Sequence, residues 1–323
     1  MSDVFDLLIV GDANPDVVLH GAPHELAYGQ AEQLAESGAL TVGGSAGIMA
    51  CAAARLGLRT AFASVVGDDA AGRFMLEELT RRGVDVGGVS VRRDLATGLT
   101  VALARGGDRA ILTFPGCIDA LTADMVDRDL LGRARHVHVS SFFLQPRLTP
   151  GLRGLFEAAR TAGAGTSLDL NWDPAEQWDG GLTDVLPAVD VLFVNAAEAA
   201  AVSGARDPAV AATALAARGP LPVIKLGAAG ALAHDGCRLV RVSAPAVTVV
   251  DTVGAGDTFD AGFLCGRLLG WDVSRSLALG VACGSLSAQG AGGVEAQPTR
   301  GEALAVVEDL LPRPGAGPGP ECA

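Results

Sequence analysis

Lysine is almost missing from this sequence: of 24 basic residues, only Lys225 is a lysine and the rest are arginine. That shortage excludes whole reaction classes. A P-loop needs a lysine followed by Ser or Thr, and here Leu226 follows. A pyridoxal-phosphate enzyme would have to build its Schiff base on Lys225. A protein kinase is hinted at only by V-I-K (223–225), with no glycine-rich loop before it and no HRD or DFG anywhere. Positive charge is short in general. The chain carries 37 acidic residues, a formal net charge of −13, and only isolated arginine pairs such as Arg81–Arg82. Nucleic acid and anionic membrane surfaces call for a basic stripe, so neither is expected as a partner.

Cysteine chemistry is also sparse. Six cysteines occur, none as CxxC and none with a histidine at zinc spacing, which reads as free thiols in a reducing cytoplasm. Residues 1–15 lack the basic start and long apolar run of a signal peptide. Two stretches without charge, 37–54 and 276–294, hold Gly or Ser at 6 of 18 and 8 of 19 positions, so neither makes a good membrane span. A dinucleotide-binding GxGxxG is absent after the first strand, where G-D-A-N-P-D (11–16) stands instead.

What is present has the rhythm of an α/β protein. Leu7-Leu8-Ile9-Val10, a continuous apolar run ending in Gly11, reads as a buried parallel strand. Strand candidates follow at 60–66, 136–140, 166–170, 190–194, 222–226 and 245–250, with helical segments between most of them, such as 46–56 and 70–82. Alternation of this kind predicts a parallel sheet with helices on both faces. Two pairs of strands lack helices, near 14–44 and 89–114. The second pair flanks Gly106-Gly107-Asp108, a hairpin signal. They predict a small sheet standing off the main body. The last twelve residues, 312–323, contain seven Pro or Gly and read as a disordered tail.

The strongest chemical signal is V-D-T-V-G-A-G-D-T-F-D-A-G-F (250–263). A β-rich run gives way to Gly254-Ala255-Gly256, and a helix begins near Asp257. A strand, a glycine turn and a helix N-terminus together make an anion site, because free amides and the positive end of the helix dipole converge there. Asp257 sits in that field and should stay ionised. A carboxylate beside a phosphate site makes sense if it takes the proton of an attacking hydroxyl. From spacing alone it is equally a helix-start residue balancing the dipole. Gly262 and Gly266 predict close packing of this helix on a neighbour, with Gly270 as its stop.

The segment D-T-V-G-A-G-D (251–257) resembles the second signature of PfkB-type, ribokinase-like carbohydrate kinases. The first signature is matched by G-G-S-A-G-I-M-A-C-A-A-A-R-L-G (43–57), V-G-D-D-A-A-G-R-F (66–74) and R-G-V-D-V (82–86). The resemblance covers about 5–311 and implies a kinase domain over 1–311: a three-layer α/β sandwich, with a central mostly parallel sheet and a small β lid over the sugar. It implies ATP and Mg2+, and in some members a monovalent cation such as K+. By resemblance Asp257 is the base, and the amides of Gly254, Ala255, Gly256 and Asp257 form the anion hole. Asn14 and Asp16 with Gly43, Gly44 and Ser45 would meet the sugar. Asn195, Lys225 and Gly227 would meet the nucleotide, Glu198 the Mg2+, and Asp251 with the Val253 carbonyl the monovalent cation, with Gly292 a further candidate. Ser140, Ser141, Arg109 and Asn171 could complete the pocket. Two departures stand out: Ile48 where many members have Asn, and Ser45 where ribokinase-like members often have Lys. Both bear on the choice of sugar. The function implied is transfer of the γ-phosphoryl group of ATP to a hydroxyl of a small sugar. The alternatives are a nucleoside kinase of the same fold and a sensing protein without turnover. A homodimer formed through the lids is compatible with an exposed small sheet.

Overall fold

The computed structural model describes residues 4–23, 25–105 and 108–311, except for the side chains of Asp108 and Arg109. The tail expected at 312–323 and the hairpin tip at 106–107 lie outside the described residues, as does the side chain of Arg109.

Thirteen strands are described: β1 (Leu7–Val10), β2 (Pro15–His20), β3 (Ser37–Val42), β4 (Thr60–Gly67), β5 (Asp85–Arg92), β6 (Leu99–Arg105), β7 (Asp108–Phe114), β8 (His136–Val139), β9 (Gly165–Asp169), β10 (Val191–Asn195), β11 (Leu221–Lys225), β12 (Ala231–His234) and β13 (Leu239–Val242). The helices are α1 (Ser45–Arg55), α2 (Ala70–Arg81), α3 (Arg128–Arg133), α4 (Thr149–Thr161), α5 (Leu182–Val185), α6 (Ala196–Ser203), α7 (Pro208–Ala216), α8 (Ala255–Leu268), α9 (Val273–Ser287) and α10 (Arg300–Leu310).

Nine strands form the main sheet in the order β13-β12-β11-β10-β9-β8-β1-β4-β5. All its pairings are parallel except those of the β12–β13 hairpin at one edge. The apolar run of β1 explains why the sheet is buried on both sides. Leu7 and Ile9 enter one core with α1, α8 and α9; Leu8 and Val10 enter the other with α3, α4 and α7. The alternation of β geometry sends successive side chains to opposite faces, so only an apolar run suits a doubly covered strand. Strand order reverses between β1 and β8, and the crevice at the carboxyl ends of such a pair is where α/β sheets take ligands.

Four strands form a separate sheet, β3-β2-β6-β7. Pairing of β2 with β6 is parallel, so the chain crosses the main body between them. Two expectations need correction. Residues 89–92 belong to β5, which pairs in parallel with β4 in the main sheet; the second small-sheet pair occupies 99–114. The apolar run 245–250 makes no ladder at all. It crosses from β13 to α8 in extended form, and Val249 and Val250 are exposed. The edge is filled instead by β12 and β13, whose short runs around His234 to Arg238 carry a turn signal that was passed over. Packing of α8 on α9 follows the glycines: a Cβ on Gly262 would lie 2.8 Å from the Cys283 sulfur, and one on Gly266 2.9 Å from the Cα of Ser276. Gly270 has φ +80° just past the helix end. Among the described residues no helix is long and apolar enough to cross a membrane.

Candidate active site

The carboxyl ends of the parallel strands deliver the polar groups. Asp12 follows β1, Ser141 follows β8, Asp169 ends β9, Asn195 ends β10 and Lys225 ends β11. Two helix N-termini, those of α1 and α8, face this row. Both are capped by a glycine in the left-handed region, Gly44 (φ 71°) and Gly254 (φ 70°), and neither cap supplies a side chain. The two ends are treated differently. At α1 the carboxylate of Asp12 accepts from the amides of Ser45 and Ala46, each at 3.1 Å. Among the described residues, the amides of Gly254, Gly256 and Asp257 at the start of α8 have no partner. Helix α8 is therefore the end left open to an anion. The amide of Ala255, expected among the donors, instead closes the turn onto the carbonyl of Thr252 at 3.3 Å.

Helix α8 begins at Ala255, two residues before the expected start, so Asp257 lies within its first turn. Its carboxylate accepts a hydrogen bond from the hydroxyl of Ser45, the first residue of α1. Asp257 keeps an opening to solvent but is crowded on its other sides. Burial pushes its carboxyl up to about 7, helped by the Asp169 charge and opposed by the Ser45 hydroxyl and the Lys225 ammonium. Against the expectation of a firmly ionised carboxylate, burial moves Asp257 toward its neutral form. A carboxyl poised near neutrality suits a proton acceptor.

Asn14 and Asp16 meet at the root of the small sheet. The Asn14 amide donates to Asp16 at 3.3 Å and to the Thr100 hydroxyl of β6 at 3.0 Å. Both are buried. Gly43 packs on them so closely that a Cβ there would stand 1.9 Å from an Asp16 oxygen. Gly44 lies between Asn14 and Asp12. The diglycine is thus a consequence of contact with the carboxylates.

Lys225, expected at the nucleotide, is held by two buried carboxylates, Asp169 at 2.6 Å and Asp260 at 3.0 Å. It still reaches the anion turn, since a Cβ on Gly256 would lie 3.4 Å from its nitrogen. Burial would raise Asp169, but Lys225 holds it below the usual range. Burial drives Asp260 far up despite the same cation. Gly227 opens the next turn with φ +58° and nothing around it. Asn195 and Glu198 form a reciprocal capping box at α6: Asn195 accepts from the amides of Ala197 and Glu198, and Glu198 accepts from the Asn195 amide at 2.9 Å. Unlike a solvated helix start, Glu198 is buried, and burial with the Asp169 charge raises it to about 7.

Asp251 accepts from the amides of Val253 (2.9 Å) and Gly292 (3.0 Å), so the three residues do come together. Ile48 packs against the anion turn. A Cβ on Gly254 would meet it at 2.8 Å, as would one on Gly293, so it wedges between α1 and the anion turn. Gln297, buried, ties the Ile48 carbonyl (2.9 Å) to Thr258 of α8. Ser140 turns into the core toward His138 (2.9 Å), a histidine that burial lowers to about 3. Ser141 and Asn171, both at φ 57°, bond to each other, the Asn171 amide donating at 3.3 Å. Asp12, Asp169, Asp260 and Gln297 were missed. Asp12 and Asp260 lay one or two turns of sequence from motif residues; Asp169 and Gln297 had no local signal. Among the described residues no group of three or more His, Cys, Asp or Glu side chains is placed to hold a metal.

The pfkB family carbohydrate kinase model matches residues 5–300. The 2-dehydro-3-deoxygluconokinase of Bacillus subtilis is 32% identical over 274 residues, covering 78% of this chain and 82% of its own. The ribokinase of Arabidopsis thaliana, solved with ribose and ATP, superposes with a TM-score of 0.82 at 25% identity, over 94% of this chain and 99% of its own. A ribokinase II from Escherichia coli, solved with ATP and Mg2+, shares the fold with a TM-score of 0.82 at 24% identity, over 95% and 100%. The chain belongs to the pfkB family of carbohydrate kinases.

Proposed function

We propose that this protein transfers the γ-phosphoryl group of ATP to a hydroxyl of a small sugar or sugar-like acceptor, with Asp257 as the base. The observation that carries the reading is the open set of amides at Gly254, Gly256 and Asp257, beside a carboxylate raised to about 7. The acceptor proton passes to the free oxygen of Asp257 as the acceptor oxygen attacks the γ-phosphorus. The bond to the β-phosphate oxygen breaks and ADP leaves. The amides hold the charge that develops on the transferred group. Asp16, Asn14 and the diglycine backbone hold the acceptor, and the small sheet shields it from water.

Glu198 suits a water-mediated contact with nucleotide-bound Mg2+, because each of its oxygens accepts from Asn195 and retains a second lone pair. Bound Mg2+ would neutralise phosphate charge. Asn195 and Gly227 border the nucleotide, and Lys225 acts on it from beneath the anion turn. Asp251 and the Val253 carbonyl are the place for a monovalent cation, which potassium dependence of the rate would test. Leu40, Ile111, Leu112 and Phe114 are exposed on the small sheet, which supports a homodimer through the lids, checked by sedimentation. Four buried free thiols support a cytoplasmic setting.

The test is ADP release over a panel of sugars and nucleosides. Turnover with a sugar supports the reading. Turnover with nucleosides alone moves the assignment to a nucleoside kinase. Binding without ADP release would make the chain a sensor.

A further inference from the structure

We propose that Ser45 is a positioning residue for the base: its hydroxyl fixes one oxygen of Asp257 so that the other is presented to the acceptor. The inference rests on the reading of Asp257 as the base. The family resemblance implied that Ser45 meets the sugar; in the structure its hydroxyl is given to Asp257.

The surroundings make that bond a fixed strut. The Ser45 amide is anchored by Asp12, and the next amide by the other oxygen of the same carboxylate. Gly44, at φ 71° against Asn14 and Asp12, leaves the start of α1 little room to shift. On the opposite side Ile48 fills the gap between α1 and Gly254, and Gln297 bonds to both helices. The separation of the two helix starts is therefore set by packing, and Ser45 bridges it. An Asp side chain has two free torsions. Without a partner from α1 its carboxylate could turn toward Lys225 or toward the open amides of its own helix. The groups facing it are Ser45 from α1, Asp12 beyond β1, Asp169 from β9 and Lys225 from β11. Of these, Ser45 is the neutral donor bonded to it. A hydrogen bond to a charged group is roughly twice as strong as one between neutral groups.

The test uses steady-state kinetics with ATP and an acceptor that the wild-type chain turns over. Ser45→Ala should lower kcat about 10- to 100-fold. KM for acceptor and for ATP should stay within about threefold, because what is lost is the presentation of the base and not a substrate contact. Ser45→Thr, which keeps the hydroxyl, should recover most of the rate. Adding Ser45→Ala to Asp257→Asn should cause little further loss, since residues acting as a unit are non-additive. A raised acceptor KM with unchanged kcat would make Ser45 a sugar ligand and overturn the inference while leaving the base reading intact. Unchanged kinetics would also overturn it. A wild-type chain that phosphorylates no acceptor overturns the base reading itself, and this inference with it.

Discussion

The ammonium of Lys225 stands 2.6 Å from the carboxylate of Asp169, directly beneath the turn that opens α8. Asp260 adds a second carboxylate at 3.0 Å, and its other oxygen is buried without a partner. One cation thus faces two acids in a dry site. Burial pushes Asp260 toward its neutral form, while Lys225 holds Asp169 toward its charged one. Removing the cation leaves Asp169 alone. Lys225→Met should cost about 3–5 kcal/mol in urea unfolding, the usual penalty for breaking a buried pair. Asp260→Asn, which imitates the protonated acid, should cost far less. If Lys225 were chiefly a phosphate ligand, Lys225→Met would raise KM for ATP and leave the unfolding midpoint in place.

Asp257 couples rate and stability in opposite directions. As a base it works deprotonated, so kcat/KM should rise with pH through about 7 and level off above. Asp257→Asn should lower kcat by about 10²–10⁴ with ATP affinity retained. Its folded pKa lies above the ordinary 3.8. The folded state therefore binds the extra proton between these values, and stability is lost as pH rises through about 7. At pH 8 the wild type holds a charge in a poorly solvated place that the Asn variant does not. The variant should be the more stable at pH 8, by at most about 4 kcal/mol, reduced by solvent screening of a carboxyl open on one side. Only near or below pH 4, at the foot of that window, should the two converge. Paired urea curves at both pH values check this. A variant less stable at pH 8 would show that the carboxylate is better solvated than its surroundings suggest.

The fold was legible where apolar periodicity was strong and local. The run at β1 and the alternation after residue 120 marked the parallel sheet, and the hairpin signal in the sequence Gly106-Gly107-Asp108 marked the β6–β7 pair. Residues 245–250 misled because a β-branched run carries propensity without a partner strand, and pairing decides. β5 misled because nothing local says which sheet a strand will join. In the site, Asp257 and its glycines are adjacent in sequence and were readable as a unit. The Lys225–Asp169–Asp260 cluster joins three elements 35 and 56 residues apart from Lys225, which spacing cannot reveal. Ser45 and Ile48 were read against the sugar because their roles depend on how α1 meets α8, a relation between residues more than 200 positions apart.

Two glycines of the anion turn should separate folding from chemistry. Gly254 has φ +70°, and a Cβ would lie 2.7 Å from the Gly293 carbonyl oxygen and 2.8 Å from Ile48. Gly254→Ala should lose at least about 1 kcal/mol of stability along with activity. Gly256 is helical, and its Cβ would meet only Lys225 at 3.4 Å, an ordinary contact. Gly256→Ala should melt at or slightly above the wild-type temperature, because Ala is the better helix residue. It should still lose kcat, by about tenfold or more, because a methyl group stands where a phosphoryl oxygen must approach the amides. A Gly256→Ala enzyme with full turnover would place the transferred group elsewhere.

Gly43 tests the acceptor side without replacing an ionisable residue. Its Cβ would fall 1.9 Å from one Asp16 oxygen and 2.6 Å from the other, so any side chain must evict the carboxylate. Asp16 cannot retreat far, since it lies on β2 between β3 and β6, paired with Thr41 and Thr100. Gly43→Ala should therefore copy Asp16→Ala: acceptor binding weakened at least about tenfold by calorimetry, the scale of a lost hydrogen bond to a charged group. ATP binding should be preserved, because the open amides at the start of α8 are left unchanged. The double variant should be little worse than either alone, because both remove the same contact. Equal losses of acceptor and ATP affinity in Asp16→Ala would detach Asp16 from the sugar and return it to a structural role at the root of the small sheet.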